Sequence, residues 1–326
     1  MASIVLGGAT SHSVLLASSP EHWARRARHD AVNPNLYDTD GRPVSYAELL
    51  ERNQERMRGR LDRSVWDKQW DQCQMALDRM ASDIAAARLD ALVIVGDDQE
   101  ELFTEGNRPA LAICGHESLR TLYMPSEGSE FLELVTHNYS MDAEHTFPGS
   151  PDLARSLVSS LTDRGFDVTW MNTTPDGVGF GHAYGFVLHR LLGDTPVPMV
   201  PLMLNTYYPP NQPTPSRCYD LGVALAEAIA AYPADTRVGL LASGGLSHFV
   251  VDEELDARLL DALEAGDADA LRALPAHLMN SGTSEIRNWV TVAGALRDRR
   301  LAWKEYVPIY RSEAGTGCAM AFVLWS

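Results

Sequence analysis

The chain has 326 residues, 45% of them hydrophobic and 22% charged, which is ordinary for a globular protein with a sizeable core. Its formal net charge of -17 argues against nucleic acid or an anionic membrane as a partner, because phosphate surfaces are bound by basic patches. No apolar run approaches a membrane span, and the N-terminus lacks a basic, cleavable leader pattern. Cys73, Cys114, Cys218 and Cys318 are scattered without CxxC spacing, as in reduced thiols of a cytoplasmic protein.

In chain order, Ile4-Val5-Leu6 predicts a first strand, followed by a loop carrying Thr10-Ser11-His12. Residues 20–63 read as a polar, irregular insertion with turn signals at Asn33-Pro34-Asn35 and Asp40-Gly41-Arg42-Pro43. That length suits a lid or an oligomer contact. Trp66, Trp70, Cys73, Leu77, Met80, Ile84 and Ala87 recur at helical spacing. Ala91 to Val95 is a short apolar run, read as a buried strand, and it ends in Gly96-Asp97-Asp98-Gln99. A helix near Asp152 to Thr162 and a strand at Phe166 to Met171 follow. Val197 to Leu204 reads as a strand whose Pro198 and Pro201 suit a sheet edge. A helix at about Tyr219 to Ala231, a strand at Val238 to Leu241, and two acidic helices at about Asp252 to Ala265 and Ala268 to Leu274 come next. A helix from Ser284 to Leu296 and a closing strand from Met320 to Trp325 complete the chain. Strands alternating with helices predict an α/β fold: a single domain over 1–326 with a central mixed sheet and helices on both faces.

Four polar islands stand at the ends of these elements. His12 follows the first strand, His182 ends the glycine-rich stretch Gly177 to His182, His248 closes Gly244-Gly245-Leu246-Ser247-His248, and Glu285 opens an apolar helix. Each has an ordinary explanation when taken alone; Glu285, for example, suits a helix first turn. The Gly-Gly-x-Ser-His turn lacks the Gly-x-Ser-x-Gly of a nucleophile elbow, and the glycines near His182 lack a phosphate-loop pattern. Together, neutral histidines and one carboxylate are the donor types of a non-haem Fe(II) facial triad, which leaves open positions for substrate and O2.

At this point the chain resembles the class III extradiol ring-cleaving dioxygenases, the protocatechuate 4,5-dioxygenase superfamily, and within it the 3-O-methylgallate dioxygenase branch. The residues that carry the resemblance are Thr10-Ser11-His12 with Pro20-Glu21-His22-Trp23, Ile94 to Gln99, Gly181-His182, Gly244 to His248, Glu285, and Ala314 to Met320. The resemblance implies Fe2+ bound by His12 and Glu285, His248 as acid/base, and His182 hydrogen-bonding substrate or oxygen. It also implies an aromatic substrate, O2 and a homodimer or larger homo-oligomer. One position departs: the superfamily's second strand ends Asp-His, that histidine being an iron ligand, whereas here Asp98 is followed by Gln99. Three readings follow. Gln99 completes the metal set, or Asp98, His116, His137 or His145 replaces it, or the site has lost its metal. Asp-Gln is a feature of the methylgallate-like branch, which favours a working site with Gln99 in it.

The resulting expectation is Fe(II)-dependent opening of a gallate-, O-methylgallate- or protocatechuate-type acid. Arg287 and Arg311 are candidates for its carboxylate, and Tyr184, Tyr207, Tyr208 and Trp289 for its walls, although core or interface packing is the default reading of these aromatics. The alternatives are ring opening of an aminophenol or dihydroxypyridine, a binding protein that kept the fold without the metal, and a zinc hydrolase on the same residues.

Overall fold

A computed structural model describes residues 1–126, 128–193 and 195–326. The strands are β1 (Ser3–Thr10), β2 (Ala91–Asp97), β3 (Leu111–Cys114), β4 (Ser118–Thr121), β5 (His145–Pro148), β6 (Thr169–Met171), β7 (Met199–Leu204), β8 (Arg237–Ser243), β9 (Leu301–Tyr310) and β10 (Gly317–Trp325). The helices are α1 (Trp23–Asp30), α2 (Tyr46–Asn53), α3 (Arg63–Ala87), α4 (Glu130–Asn138), α5 (Pro151–Asp163), α6 (His182–Phe186), α7 (Pro215–Ala231), α8 (Glu253–Ala265), α9 (Ala268–Arg272) and α10 (Ile286–Ala295).

Eight strands form one mixed sheet in the order β6-β3-β7-β2-β8-β1-β10-β9, and β4 pairs with β5 apart from it. The four central strands, β7, β2, β8 and β1, run parallel, while β10 and β9 extend the sheet antiparallel. The period of two along a strand sends alternate residues to opposite faces. In β2, Ala91, Val93 and Val95 join the core under α5, α7, α8 and α10, while Leu92 and Ile94 join the core under α3 and α6. Helices on both faces are what a fully buried, continuously apolar strand requires. Glycine permits the closest helix contact: a Cβ on Gly222 of α7 would lie 1.9 Å from the Thr291 carbonyl oxygen of α10. Among the described residues, no helix is long and apolar enough to cross a membrane.

Several elements differ from the sequence expectation, and β3, β4, β5 and α4 answer to no expected element. β7 is interior, not an edge, despite Pro201. Its antiparallel neighbour β3 pairs only at Leu202, Met203 and Leu204, so the missing N–H falls outside that ladder. Residues 20–63 are not irregular throughout, since they form α1 and α2 and bury Trp23, Asp30, Leu36, Leu49 and Met57. A capping box starts α2: Ser45 accepts from the Glu48 N–H while the Glu48 carboxylate accepts from the Ser45 N–H. The strand expected from Phe166 begins only at Thr169, and β9 was not foreseen.

Candidate active site

The parallel strands set the site. β1, β8 and β2 are adjacent and parallel, so the residues just past their carboxyl ends meet on one rim of the sheet, where open α/β sheets bind ligands. His12 leaves β1, Gln99 leaves β2 and the Gly244–His248 turn leaves β8. Glu285 arrives from the single 3-10 turn that precedes α10, and His182 is the first residue of α6. All five sequence candidates therefore lie around one cavity of about 120 Å3, lined also by Val14, Tyr139, Phe249 and Cys318. A closed cavity of ~150 Å3 admits benzene, so this half-open space has room for no more than one aromatic ring.

The hydrogen bonds fix what each imidazole presents. The Ser243 hydroxyl donates to the Ala183 carbonyl oxygen at 2.5 Å, so towards His12 Nδ1, 2.9 Å away, it can only accept. His12 thereby carries a proton on Nδ1, and in its neutral form the Nε2 lone pair faces inward. That Nε2 is buried, has no hydrogen-bond partner among the described residues, and lies 3.3 Å from Glu285 Oε2. His248 donates from Nδ1 to the Leu246 carbonyl oxygen at 2.8 Å, and its Nε2 stands 3.4 Å from Glu285 Oε1. Glycine makes room for that ring, since a Cβ on Gly282 would sit 2.0 Å from His248 Cδ2 and one on Gly245 2.8 Å from Cε1.

Glu285 is buried and accepts a hydrogen bond from the Gly245 N–H. Burial would raise its pKa, but His12 and His248 outweigh it and hold the carboxyl well below the ordinary carboxylate range. Gln99 donates from Nε2 to both Glu285 Oε1 and Asp97 Oδ2 at 3.1 Å. Which end of that amide carries the nitrogen is an assignment from this network. Asp97 is itself pushed up to about 6, by burial first and then by the charge of Glu285.

His182 donates from Nδ1 to Glu101, whose carboxylate also accepts from the backbone N–H of Gln99. Burial disfavours both charges, yet the pairing wins: His182 rises to about 9 and Glu101 falls to about 2. Its ring meets that of His12 edge-on at a centroid distance of 4.8 Å. Donor atoms of His12, His182 and Glu285 all lie within 4.8 Å of one another, the spacing of a possible metal site. An orphaned inward lone pair beside a buried carboxylate is what a divalent cation satisfies, so the residues fit one.

The other candidates resolve elsewhere. Asp98 accepts from the N–H groups of Leu102 and Phe103, His116 bonds the Ser118 carbonyl, and His137 and His145 share Asp142 in an exposed cluster. None of them replaces Gln99. Arg287 is buried and spends its guanidinium on the carbonyls of Pro213, Thr206, Met279 and Ser284. Tyr184 and Trp289 are core, bonded to the carbonyls of Leu202 and Gly244. The sequence reasoning missed Glu101, Ser243, Asp97 and Arg26. Asp97 and Glu101, which flank Gln99 in one acidic run, left a local trace; Ser243 and Arg26 left none.

The fold and this rim of histidines and carboxylates give an α/β protein with one cavity whose donor atoms fit a metal ion. Residues 57–323 match the family described as the catalytic LigB subunit of aromatic ring-opening dioxygenase. The chain belongs to that family. A gallate dioxygenase of Pseudomonas putida is 33% identical over 162 residues, which cover 45% of this chain and 46% of that protein. The matched stretch thus spans less than half the length of that relative.

Proposed function

We propose that the chain opens the ring of a catecholic acid of gallate, O-methylgallate or protocatechuate type with O2, using Fe(II) held by His12, Gln99 and Glu285. The observation that carries this reading is the His12 Nε2 lone pair, locked inward by Ser243 and left without a partner beside Glu285. Bound there, Fe(II) supplies a Lewis acid and an electron path between ring and O2. His248, its Nδ1–H tied to Leu246, acts as the acid/base at Nε2. His182, charged through Glu101, donates a hydrogen bond to substrate or oxygen. Tyr139 and Phe249 help to exclude water from the cavity.

A second reading of the metal set has its own observation. His182 hands its Nδ1–H to a carboxylate, as metal-bound histidines do, and it lies among the close donor atoms, whereas Gln99 donates to Glu285. Chelator-competition titration of Fe(II) separates the two. His12→Ala and Glu285→Ala should lose the metal under either reading. Loss in Gln99→Ala with retention in His182→Ala supports the first, and the reverse supports the second. Full metal binding in both His12→Ala and Glu285→Ala would refute the site.

A further inference from the structure

Arg26 stands in the wall of the same cavity as His12 and Glu285, and its guanidinium forms no ion pair among the described residues. It lies on α1 one turn before Asp30, the i,i+4 spacing at which an ion pair normally forms. Asp30 is already consumed. Arg311 grips both its oxygens at 2.7 and 2.8 Å, and the Thr316 hydroxyl donates to Oδ2 at 2.6 Å. Two arginines thus face one buried carboxylate, and the surplus falls on Arg26, for which no ion pair or side-chain hydrogen bond occurs among the described residues. Its Nε is buried and unpartnered. Burial, followed by the like charge of Arg311, pushes its pKa below the ordinary guanidinium value, so the surroundings are short of negative charge.

A half-buried cation without an ion pair is costly, and a guanidinium fork matches a carboxylate with two parallel hydrogen bonds. Glu285 is committed to the histidines and Gly245, so the missing anion must come from outside. We propose that Arg26 receives the carboxylate of the ring substrate and so selects aromatic acids over their neutral counterparts. This rests on the ring-opening reading above for the orientation of the substrate. Ring hydroxyls face the His12–Glu285 end, and the acid group faces α1.

The test is calorimetric binding of 3,4-dihydroxybenzoate and of catechol, with and without Fe(II), to the wild type, Arg26→Gln and Arg26→Lys. Arg25→Gln, an exposed neighbour, serves as control. The wild type should hold the acid on the order of 100-fold more tightly than catechol. Arg26→Gln should erase that preference while leaving catechol affinity unchanged, and Arg26→Lys should keep part of it, because the charge survives and the fork does not. Thermal unfolding of both variants separates loss of binding from loss of fold. An unchanged preference in folded Arg26→Gln, or none in the wild type, overturns the assignment. Binding needs no turnover. Arg26-dependent acid binding by a protein that opens no ring would therefore sink the ring-opening reading alone. Turnover with unaltered acid selectivity in Arg26→Gln would sink this one alone.

Discussion

Ser243 decides what His12 can do. Its single proton goes to the Ala183 carbonyl, which forces the imidazole to spend its own proton on the hydroxyl and to aim a lone pair inward. A ligand histidine oriented in this way gains both tautomer and direction, and removing such a partner typically costs about 10- to 100-fold in metal affinity. Ser243→Ala should show a loss of that size in Fe(II) competition titrations, with a stability loss of about 1–3 kcal/mol from the buried groups left unpaired. Unchanged affinity would mean that His12 is held by packing alone. Neither Ser243 nor Glu101 was legible as a partner in the sequence, because each acts on a histidine brought to it by the sheet. Ser243 and His12 are 231 positions apart. The histidines themselves were legible, since each follows an apolar run or a glycine turn that must end at the rim.

Among the elements, α8 anchors the turn that carries His248. Asp256 is buried on that helix and accepts from the Ser247 N–H, the Ser247 hydroxyl and the Tyr306 hydroxyl at 2.7 to 2.9 Å. Burial dominates those bonds and raises its carboxyl from 3.8 to about 7. Between these values the unfolded chain has released a proton that the folded chain keeps. This group's contribution to stability is therefore full below about pH 4 and declines as pH rises to about 7. Asp256→Asn should flatten that part of the stability-against-pH curve, measured by urea unfolding at intervals from pH 4 to 7. A curve with the wild-type slope would show that Asp256 is ionised in the fold. The helix itself was foreseen from its acidic, periodic sequence. β9 was not, because its first half is an exposed edge where Lys304 and Glu305 break the apolar pattern. The interior place of β7 was hidden by Pro201, whose cost depends on which neighbour it faces.

At the scale of the whole molecule, the parallel order β2-β8-β1 is what turns separate sequence islands into one site. That order follows from long-range pairing which no local pattern announces, yet the consequence, ligands at the carboxyl ends, could be expected once strands were seen to alternate with helices. The segment 20–63 shows the limit of such reading. Its turn signals were visible, but the burial of Asp30 against Arg311, 281 positions away, and the resulting isolation of Arg26 were not.

The most direct measurement of the central claim is oxygen uptake by protein loaded anaerobically with Fe(II) and then given 3,4,5-trihydroxybenzoate, 3-O-methylgallate or 3,4-dihydroxybenzoate. Product is followed by ultraviolet-visible absorbance. The account predicts one O2 consumed per ring opened with at least one of these acids, lost in His12→Ala and Glu285→Ala. Iron bound at full occupancy with no uptake on any of them would contradict it.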